Sequence, residues 1–337
     1  MTARSATPAS SAPVAPRLAD VQAPVRDELD GVARELRRIV YDDSPLIAQV
    51  TRHLMAMKGK LFRPTIALLA SATDGRPEPR ITTLAAVLEL MHVATLVHDD
   101  AVDHSALRRG LPTINALFNS QTSVIAGDFL YLRALRELAT LGDLDALRVL
   151  TDASVEMTQG ELRQLTKGDP LQFSEEDYEA LIAAKTASLF RAACAVGALC
   201  GAAQYADSLS RYGQRLGMAF QIVDDLLDYT EAQEVTGKPM GLDLHERKMT
   251  LPLIAAMREM DGRARRRVEG LFASEVPSEA DIHEVIGLVT ENGGLDYARR
   301  RGEWFAQAAE EALADIPETA ARSALIDAIA YVTERRS

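Results

Sequence analysis

The sequence predicts an all-α protein, one bundle of roughly ten or more helices. Three observations carry that expectation. Apolar residues recur at three- and four-residue spacing along most of the chain, no segment of useful length alternates as a strand would, and glycine–proline punctuation separates the periodic stretches. Composition agrees: 47% of the 337 residues are hydrophobic but only 5% aromatic, and the dominant alanine and leucine favour helix.

The elements follow in order. The first sixteen residues hold five alanines, three prolines and three serines and no apolar run, so residues 1–20 read as a disordered tail and 21–337 as one domain. Leu29, Val32, Ala33, Leu36 and Val40 then repeat as an amphipathic helix requires. Similar stretches cover 64–73, 82–103, 125–140, 143–165, 174–203, 208–229, 251–260, 279–292, 294–314 and 320–335. Between them fall Gly75-Arg-Pro, Gly110-Leu-Pro, Gly168-Asp-Pro, Gly237-Lys-Pro and Ile316-Pro. Ser174 followed by Asp177, and Ser278 by Asp281, resemble capping boxes with Asp in place of Glu.

Charge and cysteine content exclude several classes. A formal net charge of −12 argues against nucleic-acid binding, which needs a basic surface. Two cysteines, Cys194 and Cys200, make neither a disulfide framework nor a four-ligand zinc site, and point to a reducing cytoplasm. The longest uninterrupted run of small and apolar residues, 192–203, falls short of the roughly 20 residues of a membrane span, so no transmembrane segment is expected. No dinucleotide fingerprint or phosphate-binding loop is present.

Two acidic segments stand out. Asp99, Asp100 and Asp103 lie in one, and Asp224, Asp225 and Asp228 in the other, each at i, i+1 and i+4 on an apolar helix. The first and third members of each triad share a helix face, where like charges repel. Burying them costs several kcal/mol, roughly, without compensating cations. A single such triad reads equally well as a solvated helix end. Two copies in apolar sequence, one trailed by Arg108 and Arg109, point to hard divalent cations and, by the usual habit of Mg²⁺, to a phosphate-bearing substrate.

With these residues the chain resembles the trans-isoprenyl diphosphate synthases. Asp99-Asp100-x-x-Asp103 followed by Arg108-Arg109-Gly110-x-Pro112-Thr113 is similar to that family's first aspartate-rich motif, and Gly217-x-x-Phe220-Gln221-x-x-Asp224-Asp225-x-x-Asp228 to its second. Further matches are Gly59-Lys60-x-x-Arg63-Pro64, Gly127-Asp128, Gln159-Gly160-Glu161, Lys185-Thr186, Gly237-Lys238, Asp243-Leu244 and Lys248-x-Thr250-Leu251-Pro252, in family order from about residue 21 onward. The resemblance implies a polyprenyl synthase domain over 21–337, with helices around a central cavity, and a homodimer. It also implies head-to-tail condensation. An allylic diphosphate (geranyl, farnesyl or geranylgeranyl) loses pyrophosphate, the double bond of isopentenyl diphosphate attacks the allylic cation, and a proton leaves.

The same resemblance distributes the residues. Asp99, Asp103 and Asp224 are first choices as ligands for several Mg²⁺ ions, with Asp100, Asp225 and Asp228 beside them. Arg108, Lys185, Lys238 and Lys248 would hold the allylic diphosphate. Thr186 and Gln221 would turn oxygen dipoles, and Phe220 a ring face, toward the cation. Lys60, Arg63, His92 and Arg109 would form a metal-independent pocket for isopentenyl diphosphate. Lys58-Gly59-Lys60-Leu61 departs from the usual Gly-Gly-Lys-Arg by exchanging one cation for another. His98 and His104 flank the first triad and are left outside the direct contacts.

Product length is read from the helix that ends in the first triad. Each turn upstream of Asp99 advances about 5.4 Å, close to one isoprene unit. Short-chain members of the family place an aromatic gate five residues before the first aspartate, where this chain has Ala94, with Thr95 beside it and Met91 one turn deeper. An all-trans product longer than a geranylgeranyl chain, suited to a quinone side chain, is therefore expected. The rivals are a geranylgeranyl diphosphate synthase, a class I terpene cyclase and a regulatory subunit of a synthase. A cyclase would lack the isopentenyl diphosphate pocket, and a regulatory subunit would be expected to lose aspartates or the Lys185-Thr186 pair.

Overall fold

The computed structural model of the chain describes residues 16–57, 59–166, 169–230 and 240–334. Helices dominate, as the periodicity predicts. The first are α1 (Leu18–Gln22), α2 (Arg26–Val40), α3 (Pro45–Ala56), α4 (Phe62–Ser71) and α5 (Arg80–Val102). They are followed by α6 (Ile114–Leu117), α7 (Ser120–Leu141), α8 (Leu144–Thr166), α9 (Glu175–Ile182), α10 (Ser188–Leu199) and α11 (Ala206–Thr230). The chain ends with α12 (Leu242–His245), α13 (Leu251–Glu259), α14 (Gly262–Ala273), α15 (Glu279–Glu291), α16 (Gly294–Glu311) and α17 (Ala320–Glu334). Helix α1 begins inside the stretch read as tail, because Val21 and Val25 are buried in the main core.

Helices α4, α5, α8, α10 and α11 form the centre. Helix α10 touches α4, α5, α8 and α11, while α7 lies along α5 and α16 along α11. Helices α5 and α10 are hydrophobic nearly all round, with Leu84 to Leu88 and Ala192 to Cys194 at or near zero exposure. Both expected capping boxes form: Ser174 and Ser278 accept from the backbone N–H of Asp177 and Asp281, whose carboxylates return the bond.

Besides α3 and α14, which fall outside the expected helical stretches, three features depart from the sequence reading. The stretch expected as one helix over 174–203 is interrupted between α9 and α10 by a π-helical turn at Ala183–Ala187. A two-residue antiparallel hairpin, β1 (Leu107–Arg108) and β2 (Leu111–Pro112), pairs Leu107 with Pro112 and Arg108 with Leu111. Its turn residues Arg109 and Gly110 have φ of +52° and +74°, the left-handed geometry that a tight hairpin needs. Finally, α5 and the helix over Glu175–Leu199 are long and apolar enough to cross a membrane by length and composition, a length that counting only uninterrupted runs misses. Both are core helices of the bundle, 61% buried over their most apolar windows, which accounts for their composition.

Candidate active site

A cavity of about 650 Å³ opens between α5, α8, the π turn, α11 and the segment that follows α12. The first triad stands at its mouth. Asp99 on the last turn of α5 and Asp103 at its C-cap, one turn apart, both line it, as the helical spacing predicts. Lys185 Nζ approaches Asp99 to 3.9 Å and is also ion-paired with Glu161 of α8. Lys248 Nζ lies 4.0 Å from Asp103 and 2.6 Å from Glu246. Each lysine thus stands between a triad aspartate and a glutamate from another element. Burial raises the Asp99 carboxyl above its usual range and nearby Lys185 opposes the shift.

The remaining aspartates divide by environment. Asp100 is buried and clasped by Arg108, whose Nε and Nη2 donate to it at 2.8 to 3.0 Å. The two residues read as metal ligand and diphosphate binder therefore hold each other. Asp225 is buried and accepts from Tyr178 Oη at 2.5 Å and from Gln221 Nε2 at 2.7 Å. Burial pushes its carboxyl above the usual range, and those two bonds oppose the shift. Asp228 accepts from the backbone N–H groups of Leu242 and Asp243 at 3.1 and 3.0 Å and so anchors the start of α12. Asp224 is exposed on α11, the helix whose Gln221 lines the cavity.

Among the described residues, no three His, Cys, Asp or Glu side chains converge closely enough to share one ion. The donors at the mouth are nonetheless carboxylate oxygens backed by lysines, on two helices. That set fits Mg²⁺, which needs few protein oxygens when substrate phosphates complete its shell.

Deeper in the cavity lies a second group. Arg63 of α4 donates from Nη1 to His92 Nε2 at 3.1 Å, so His92 is held neutral, and burial drives its pKa well below the ordinary value. The Arg63 guanidinium sits 4.6 Å from the Phe190 ring centre and 6.0 Å from that of Phe220. Its Nε is buried with no hydrogen-bond partner among the described residues. Burial lowers the Arg63 pKa to about 10. Arg109, set by the hairpin turn, donates to the Met57 carbonyl at 3.3 Å, and Lys60 is exposed. Thr186 Oγ1 donates to Gln221 Oε1 at 2.7 Å. Phe220 stacks on Phe62 at 6.1 Å.

The π turn carries Lys185 and Thr186, and two glycines let neighbouring helices press on it. A Cβ at Gly160 would lie 2.9 Å from Ala184 Cβ, and one at Gly217 only 2.5 Å from Ala187 Cα. The expected chain-length residues separate: Thr95 lines the cavity, whereas Ala94 and Met91, each 1% exposed, belong to the core and do not. The cause is helical phase. Thr95 is four residues from Asp99 and shares its face, while Ala94 is five away and rotated past the flank. Lys238 lies outside the described residues.

Several residues were missed by the sequence reading. Glu246 pairs with Lys248 and Tyr178 holds Asp225, while Glu161, quoted in the resemblance without a role, pairs with Lys185. Glu89 is only 6% exposed and has no hydrogen bond or ion pair among the described residues, with Arg63 and Arg109 acting on it from longer range. A lone carboxylate three residues before His92 in an apolar run was the available signal.

An all-α bundle whose cavity has carboxylates and lysines at its mouth and an arginine–histidine pair within fits an enzyme that acts on diphosphate esters with hydrocarbon tails. The polyprenyl synthetase family matches residues 44–289, and the chain belongs to that family and is a prenyltransferase. It is 37% identical over 318 residues to the all-trans-nonaprenyl-diphosphate synthase (geranyl-diphosphate specific) of Rhodobacter capsulatus, covering 94% of this chain and 97% of that one. Identity to the octaprenyl diphosphate synthase of Escherichia coli is 38% over 312 residues, or 92% and 96% of the two chains. Among solved structures, a polyprenyl synthase from Caulobacter crescentus, complexed with calcium and isoprenyl diphosphate, superposes with a TM-score of 0.91 at 33% identity, covering 97% and 100% of the chains.

Proposed function

We propose that the chain is an all-trans polyprenyl diphosphate synthase that adds isopentenyl diphosphate head to tail onto an allylic diphosphate, with a product longer than a geranylgeranyl chain. One observation carries the reading: a single cavity holds a carboxylate–lysine group at its mouth and a separate Arg63–His92 pair within. Two diphosphates, one to be ionised and one to be kept intact, need two such groups.

Asp99, Asp103 and Asp224 would hold Mg²⁺, which when bound neutralises the charge of the departing pyrophosphate. Lys185 and Lys248 bind the same diphosphate oxygens, and Arg108 supports the site through Asp100. Arg63, Arg109 and Lys60 hold the second diphosphate away from the carboxylates. As the allylic C–O bond breaks, its electron pair leaves with pyrophosphate. The oxygens of Thr186 and Gln221 and the Phe220 ring then face the positive charge. The isopentenyl double bond supplies the pair for the new C–C bond, and the proton lost from the adjacent carbon goes to pyrophosphate.

Incubation with farnesyl diphosphate, isopentenyl diphosphate and Mg²⁺, followed by mass analysis, tests the reading. Elongation beyond geranylgeranyl diphosphate is expected. A hydrocarbon product, no elongation, or arrest at geranylgeranyl diphosphate would overturn it in favour of a cyclase, a regulatory subunit or a shorter-chain enzyme.

The placement of Thr95 gives a further expected result. Thr95→Phe should shorten the product while turnover is retained, whereas Ala94→Phe should overpack the core and cost about 1–3 kcal/mol of stability. Mass profiles and thermal melts of the two variants check this, and an unchanged profile in active Thr95→Phe removes Thr95 from the path of the growing chain.

A homodimer in the cytoplasm completes the reading. It is supported by a run of exposed apolar side chains, Val124, Ile125 and Leu132 on α7 and Val155 and Leu162 on α8. Two buried, free cysteines suit a reducing compartment.

A further inference from the structure

Asp225 sits in the second aspartate triad, yet it is buried and its carboxylate is engaged by two donors from within the protein. Tyr178 Oη donates to Oδ2 at 2.5 Å and Gln221 Nε2 to Oδ1 at 2.7 Å. The chain continues on the far side of the amide, where Gln221 Oε1 accepts from Thr186 Oγ1 at 2.7 Å. Three elements are thereby linked: α9 through Tyr178, the π turn through Thr186, and α11 through Gln221 and Asp225.

We infer that Asp225 and Tyr178 are positioning residues that fix the Gln221 amide, so that the oxygens of Gln221 and Thr186 together face the reacting allylic carbon. With Tyr178 donating to one oxygen and Gln221 to the other, both bonds favour the ionised carboxylate, which only accepts hydrogen bonds and so admits only the amide orientation that points Nε2 toward it. The amide oxygen is then left for the Thr186 hydroxyl, which spends its proton on that bond and keeps oxygen lone pairs for the cavity. Both Thr186 and Gln221 line that cavity. With the amide turned over, an N–H group would present its positive end where positive charge develops. Tyr178 occupies the other carboxylate oxygen and holds Asp225 in place. A dipole preorganised in this way costs no reorientation during ionisation.

The inference rests on the condensation reading above, and its test is separable from that reading. Kinetics of Asp225→Leu, Asp225→Asn and Tyr178→Phe are compared with the wild-type enzyme at varied Mg²⁺. Asp225→Leu removes the acceptor, and its kcat should fall about a hundredfold with both KM values and the Mg²⁺ requirement little changed. Asparagine keeps an acceptor for Gln221 and can donate to the Tyr178 oxygen, so Asp225→Asn should recover about a tenth or more of wild-type kcat. Should Asp225→Leu fail to fold, Tyr178→Phe carries the test with an expected kcat loss of about tenfold. Collapse of Asp225→Asn together with a raised Mg²⁺ requirement would make Asp225 a metal ligand and overturn the inference. So would variants that lower only the melting temperature. A wild-type enzyme that fails to elongate any primer refutes the condensation reading instead.

Discussion

Replacing Asp99 with alanine should abolish turnover and leave the helical fold intact. Asp99 lines the cavity mouth, and its carboxyl is held above its usual range chiefly by burial, with Lys185 at 3.9 Å opposing. Such a half-buried carboxylate contributes little to the stability of the unliganded protein, since its charge is partly desolvated and Lys185 keeps Glu161 as a partner when it is gone. Its contribution to ionisation is large. Loss of one ligand for an ion that neutralises pyrophosphate is worth about 4 kcal/mol, roughly a thousandfold in rate. Asp224→Ala should behave alike from the other helix. Steady-state kinetics with far-ultraviolet circular dichroism check both, and a kcat within about tenfold of wild type in either variant removes that residue from the metal site.

Arg63→Gln should raise the KM for isopentenyl diphosphate about a hundredfold and leave the KM for the allylic substrate nearly unchanged. Arg63 is the innermost cation of the cavity and is steadied by His92 at 3.1 Å and by the Phe190 ring. A charge-assisted bond from such a donor to a diphosphate is worth about 1.5–3 kcal/mol. Calorimetry gives the complementary measurement. Isopentenyl diphosphate should bind the wild-type protein even in the presence of a chelator, and the allylic diphosphate should not. Loss of both binding events on chelation would mean one shared site, and equal effects of Arg63→Gln on both substrates would mean the same.

Much of this was readable in the sequence because the relevant spacings are local. The i, i+4 relation of Asp99 and Asp103 needs only the helical repeat, and both line the cavity. The capping boxes at Ser174 and Ser278 are likewise contained within four residues. Helices α3 and α14 escaped notice because few of their residues are buried, only Val50, Thr51 and Leu54 in the first and Val268 and Leu271 in the second. Their apolar stripes are too thin to announce a period.

Long-range partnerships were the main loss. Nothing near Asp100 in the sequence says that Arg108, on the first strand of the hairpin, will fold back onto the end of α5 to clasp it, and Tyr178 stands 47 positions from Asp225. The sequence ranks Asp99, Asp103 and Asp224 ahead of the other three as ligands without saying what the others do; burial and partner give Asp100, Asp225 and Asp228 their separate surroundings. Ala94 is a different case. Its position stands out because short-chain members of the family carry an aromatic gate there and this chain does not; in the fold Ala94 packs in the core, while its neighbour Thr95 reaches the cavity.

Loss of a single codon would turn the π turn at Ala183–Ala187 into an ordinary helical turn. Such a turn holds one residue more than an ordinary helical turn, and each residue of an α-helix advances about 100°. Deleting Ala184 would let α9 and α10 join as one regular helix, with both flanks still against their present neighbours. Lys185 would swing by that angle away from Asp99, and the ridge that meets Gly160 would be gone. Shape would be inherited and reactivity would not. For a lineage that copies this gene, the scaffold and the catalyst are separable traits, and the boundary between them is a single three-base step.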